Sequence, residues 1–162
     1  MQLAVALVSA EDSRDEDYEN ATDNAIAAIG NILEFHGEAL ATMMDVMPVW
    51  TLWLSCLPLR IDEIETIIVN RQVVRLAEGG HVGLMGASQS NVPLIMALLT
   101  TALVGDGDDE DDVEFADEPL KRRIGQLLNT FKVGAVDAAV LTAVWGRLSA
   151  EQQAAATKYM TM

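Results

Sequence analysis

A single cysteine, Cys56, in 162 residues leaves no disulfide possible within the chain, and such sparing use of cysteine reads as a reducing compartment. Aromatic residues are scarce as well: three Phe, two Tyr and three Trp, 5% in all. Strands draw heavily on aromatic and β-branched side chains, so a sandwich or barrel is not expected. Ten basic side chains face 25 acidic ones, a formal charge of −15. A phosphate backbone needs a basic stripe to neutralise it, so no nucleic acid is expected as a partner. Long hydrophobic runs are missing too. The longest apolar stretch, residues 46–59, is interrupted by Pro48 and Pro58 and is too short to cross a bilayer, so no membrane partner is expected. Residues 1–10 are apolar but carry no positive flank, which argues against a signal peptide.

Catalytic constellations are equally absent. His36 and His81 stand far apart, with no HxxxH, HExxH or CxxC spacing to hold a metal. Gly80, Gly83 and Gly86 lack the GxGxxG spacing, a preceding strand and a lysine, so they form no phosphate loop. No GxSxG surrounds a serine. A calcium loop begun at Asp106 would need glycine at its sixth position and finds Asp111. No cofactor, no metal and no catalytic residue is expected, and the chain is not read as an enzyme.

What is present is apolar substance, 51% of residues, enough for a packed core. Its period is helical. Ala25, Ile26, Ile29, Ile32 and Leu33 share a face, as do Leu120, Ile124, Leu127, Leu128 and Phe131, and again Val140, Leu141, Val144, Trp145 and Leu148. Ile61, Ile64 and Ile68 begin a similar stripe that blurs into Val73, Val74, Leu76 and Ala77, as in a helix held between neighbours. Asn91 before Pro93 and Asp117 before Pro119 read as helix starts; Asp45 before Pro48 reads as another start or as a kink. Ser149 and Gln152 fit a capping box, while Gly79, Gly80 and Gly134 read as stops. Helices are predicted near 3–9, 16–36, 39–57, 61–78, 91–104, 118–133, 135–148 and 150–159, with a loop over 79–90 that has room for one short turn of helix, and no strand. Short loops favour antiparallel neighbours. Pairing the helices in order spaces their second members roughly as HEAT repeats of about 40–47 residues are spaced, once the acidic loop is allowed for.

Three stretches carry a resemblance: residues 19–33 (ENATDNAIAAIGNIL), 46–59 (VMPVWTLWLSCLPL) and 148–156 (LSAEQQAAA). In order and spacing they resemble the C-terminal end of the importin β (karyopherin β) family, closest to its importin subunit beta-3 branch. The resemblance implies an all-α, right-handed α-solenoid of stacked antiparallel helix pairs, HEAT-like, with about three repeats. Residues 1–162 would form a single C-terminal HEAT-repeat fragment of a larger solenoid, with 105–117 an acidic, flexible inter-helix loop. The family moves between cytoplasm and nucleus across the nuclear envelope. Its implied partners are basic cargo proteins with nuclear localisation signals, FG nucleoporins, and the Ran GTPase, the last mainly through N-terminal repeats missing from this stretch. The other reading is a different helical-repeat adaptor, or an acidic chaperone-like module that binds basic proteins.

The acids are unevenly placed. Residues 11–19 hold six of them and one Arg, and residues 105–118 hold nine and no base. Asp108, Asp109, Glu110, Asp111 and Asp112 form either a docking surface for Lys/Arg-rich segments or a solvated insertion. Asp23, Asp62, Glu63 and Glu65 are candidates to line a concave surface for basic cargo, against the plainer reading of exposed helix charges. Trp50 and Trp53, three apart on one helix, either anchor the core or form a groove for the Phe of an FG repeat.

Overall fold

The computed structural model describes residues 1–105 and 114–162, and among them every regular element is helical. In chain order the α-helices are α1 (Gln2–Val8), α2 (Glu19–Ala41), α3 (Met47–Ser55), α4 (Glu63–Glu78), α5 (Val82–Met85), α6 (Val92–Val104), α7 (Glu118–Thr130), α8 (Ala138–Trp145) and α9 (Ala150–Met160). The loop at 105–117 falls largely at residues 106–113, and the five acids Asp108 to Asp112 expected to dock cargo lie outside the described residues.

Helix ends follow local chemistry. Asp117 accepts from the Leu120 amide at 2.9 Å, and the Ser149–Gln152 capping box is complete in both directions. Asp62 accepts from the Glu65 amide at 3.0 Å, giving α4 a sharp start. Pro48 sits in the first turn of α3, with Asp45 accepting from the Met47 amide just before it; the proline begins a helix and kinks none. Gly134, at φ +126°, breaks the wide π-helical turn, Phe131–Ala135, that follows α7. The break predicted between 36 and 39 falls later, at 42–46. Gly37 stays helical, because the remaining turns of α2 outweigh the roughly 1 kcal/mol that one interior glycine costs.

Packing runs along the chain. α1 lies on α2; α2 on α3 and α4; α3 on α5 and α6; α4 on α5, α6 and α7; α6 on α7, α8 and α9; α7 on α9. One core runs through these contacts, from Ile26, Ile29 and Leu33 through Trp50, Trp53, Val73, Leu99 and Ile124 to Ala156. Each buried tryptophan removes on the order of 200 Å² from water, at most about 5 kcal/mol of driving force.

Two buried polar devices repeat. Thr22 on α2 donates to the Ser13 carbonyl in the turn before its own helix, at 2.6 Å. Thr66 on α4 likewise donates to the Asp62 carbonyl at 2.7 Å. Each helix then reaches forward. Asp23 accepts from the amides of Arg60 and Ile61, in the turn before α4. Asn70 donates to the Phe115 carbonyl, in the turn before α7, at 2.9 Å. All four side chains are buried, where an unmade hydrogen bond would cost about 1–3 kcal/mol. They lock successive turns to one another.

Candidate protein-binding surface

The acids predicted to receive basic segments separate into different roles. Asp23 is corrected first. It is 4% exposed, and its carboxylate is fully engaged: one oxygen takes the Arg14 guanidinium at 2.7 Å, the other the Arg60 and Ile61 amides at 2.6 and 2.9 Å. Arg14 also donates to the Cys56 carbonyl at 2.9 Å. The unit ties the turn before α2 to the turn before α4 and offers nothing to a partner. Hydrophobic periodicity could not reveal this, since the reason for burying Asp23 lies 37 residues away in the chain.

Trp50 and Trp53 are core side chains, 1% and 0% exposed, and meet edge-to-face at 5.7 Å. The indole N–H of Trp53 donates to the Ile26 carbonyl at 3.0 Å. Gly30 permits that approach, because a Cβ there would collide with the Trp53 ring; Gly83 does the same for Trp50. Trp50 also packs against His81, ring centroids 4.8 Å apart and planes tilted by 49°; the His81 Nδ1 accepts from the Leu84 amide at the start of α5. Of the two readings of the pair, the geometry gives the core and closes the groove.

Asp62, Glu63 and Glu65 stand together at the N-terminal end of α4, where negative charge suits the helix dipole. Asp62 and Glu63 are exposed and Glu65 is half-buried. The neighbouring isoleucines were expected to face the core. They do not: Ile61, Ile64 and Ile68 are 49%, 74% and 49% exposed. The inward face of α4 instead carries Thr66, Val69, Asn70, Val73, Leu76 and Ala77, because the polar clamps to adjacent turns set the helix rotation. In its second half α4 is buried around most of its circumference, as the blurred stripe suggested. The outcome is an outward strip that mixes acids with isoleucine.

Beyond the isoleucines the exposed side of α4 is held by ion pairs to its neighbours. Arg75 binds Glu34 of α2 through both guanidinium nitrogens, with Gln72 adding a bond to the same carboxylate at 2.8 Å. The Arg75 hydrogen bonds hold the Glu34 carboxyl below its ordinary range against the opposing effect of burial, and Glu34 raises Arg75 in return. Arg71 pairs with Asp117 at 2.7 Å, and Glu78 with Arg123 at 2.6 Å. On the far side of the acidic segment Glu114 meets Lys121 at 2.9 Å, and Phe115 and Ala116 are buried. The Lys121–Arg123 cluster is thereby neutralised by Glu114, Glu118 and Glu78.

Among the described residues no three His, Cys, Asp or Glu side chains come together as metal ligands, and no helix is long and apolar enough to cross a membrane. Burial pushes the Cys56 thiol above its ordinary range, with Arg14 opposing, which makes it a poor nucleophile. No family model matches the chain.

Proposed function

We propose that the chain is a non-catalytic protein-binding scaffold, the C-terminal part of a nuclear import receptor of the importin β kind. In this reading successive helix pairs stack as an α-solenoid of HEAT type, and partners bind its faces without chemistry. One observation carries it: α2 and α4 each bury a threonine bonded to a carbonyl at or before the helix start, and a second polar side chain bonded to backbone in the turn of the next pair, Asp23 as acceptor and Asn70 as donor. A closed bundle has no need of such a translated contact. A stack requires one at each step, since each unit is stable only on its neighbour.

The mixed acid and isoleucine strip of α4 is the surface for basic cargo. Carboxylates at Asp62, Glu63 and Glu65 meet Lys and Arg side chains of a localisation segment, while Ile61, Ile64 and Ile68 take its apolar residues. Supporting this, the chain is strongly acidic, a field that steers basic partners. The receptor shuttles between cytoplasm and nucleus, meets FG nucleoporins on the way, and gives Ran its main contacts through more N-terminal repeats.

Titration calorimetry with a lysine-rich localisation peptide tests the cargo role. Binding that falls as salt rises, and that Glu63→Lys with Glu65→Lys lowers about tenfold or more, is expected. Binding indifferent to both substitutions would remove the α4 strip from the account.

A further inference from the structure

Charge changes sign along the chain. Residues 1–118 carry a formal −19, whereas residues 119–162, with six basic and two acidic side chains, carry +4. The seven salt bridges each use a different basic residue. The three basic side chains left, Lys132, Arg147 and Lys158, are exposed, have no carboxylate in salt-bridge range among the described residues, and belong to the same C-terminal part.

One of them, Lys132, stands at a groove. A cavity of about 630 Å³ opens between α6, α7, α8 and α9 over Met96, Leu128, Leu141, Trp145 and Met160, with Lys132 in its wall. Arg147 follows a lining residue, Gly146, whereas Lys158 lies over the Tyr159 ring, 5.0 Å from its centroid. Beside the groove α8 is uncharged throughout, yet only Val144 of its eight residues is buried. Val140, Leu141 and Trp145, which the helical period assigns to a core stripe, are half-buried. An apolar helix face left open is unusual where nothing docks on it.

We infer that this groove docks an acidic amphipathic segment of a partner protein. Its bulky apolar side chains would enter over Leu141 and Trp145, and its carboxylates would meet Lys132 and Arg147. Charge complementarity selects this occupant. A basic segment would bring like charge against Lys132 and Arg147, which disfavours it, and a neutral one would leave both without a carboxylate. The volume suits a few large side chains from one helix face. The inference stands apart from the import reading, because it concerns a second surface with a partner of opposite sign to basic cargo.

The test uses the full chain and two labelled helix-forming peptides with identical Leu and Phe anchors, one flanked by Glu and the other by Lys. Anisotropy titration follows binding, and tryptophan emission reports on Trp145, since Trp50 and Trp53 are sealed in the core. The Glu peptide is expected to bind about tenfold more tightly than the Lys peptide, with a change in emission. Lys132→Glu with Arg147→Glu, both exposed positions, is expected to reverse that order while leaving the circular dichroism melt unchanged. Equal binding, preference for the Lys peptide, no binding of either, or no response to the double substitution would each overturn the proposal. So would self-association of the chain that Leu141→Ser abolishes, which would assign the groove to a second copy.

Discussion

Replacing Asp23 with alanine removes the acceptor for three donors at once: the Arg14 guanidinium and the amides of Arg60 and Ile61. Breaking a buried pair by taking one partner costs about 3–5 kcal/mol, and each charge-assisted bond is worth about 1.5–3 kcal/mol. Some of that is recovered here, because the Arg14 side chain is 25% exposed and water can reach the turn at the exposed Arg60 and Ile61. The net expectation is a loss of about 3 kcal/mol, a large share of the roughly 5–15 kcal/mol that holds a domain together. Urea denaturation followed by circular dichroism should show a lower midpoint at unchanged slope, with Tm lower by about 6–12 °C. Asp23→Asn keeps one acceptor and should lose about half as much. A double-mutant cycle with Arg14→Ala should give a coupling of at least about 1 kcal/mol. If Asp23→Ala cost less than about 0.5 kcal/mol, as an ordinary surface change does, the clamp would be refuted and the carboxylate would be free for partners after all.

Gly125 lies where a Cβ would strike the Tyr159 carbonyl of α9; Gly125→Ala should therefore destabilise by about 1–3 kcal/mol, despite a gain in helix propensity of about 1 kcal/mol, and calorimetric melting checks it. Glu34 has its pKa lowered from 4.5, chiefly by the Arg75 hydrogen bonds. A depressed carboxyl contributes stability that is present above 4.5 and lost as pH falls through the folded value, so in urea melts at stepped acid pH Glu34→Gln should flatten that decline. Cys56, raised by burial, should react with a thiol reagent at mildly alkaline pH about tenfold more slowly in the native chain than in urea.

Much of the fold is legible in local chemistry. Asp117 and the Ser149–Gln152 pair announce helix starts because a cap is made within four residues, and the stripe from Leu120 to Phe131 is fully buried as its period requires. The errors share a cause. On α4 the isoleucines look like the core stripe, but Thr66 and Asn70 face inward because their partners are backbone groups, for Asn70 far along the chain. Asp23 misleads for the same reason. Asn91 reads as a cap but spends its side chain on Thr51 and the Leu84 carbonyl, tying α3 to α6. Polar residues that serve tertiary clamps leave no trace in a hydrophobic period. The open face of α8 is hidden in the opposite way: its sequence predicts burial, and only the placement of α7 and α9 leaves the groove uncovered.

The central claim is a linear stack, in which each helix pair leans on its neighbours and remote pairs are nearly independent. Hydrogen exchange, read segment by segment in the Gly125→Ala chain, tests it most directly. Protection lost across α7 to α9 but retained in α1 and α2 is the predicted result. A uniform loss over every helix would mean one closed cooperative core, and would contradict it.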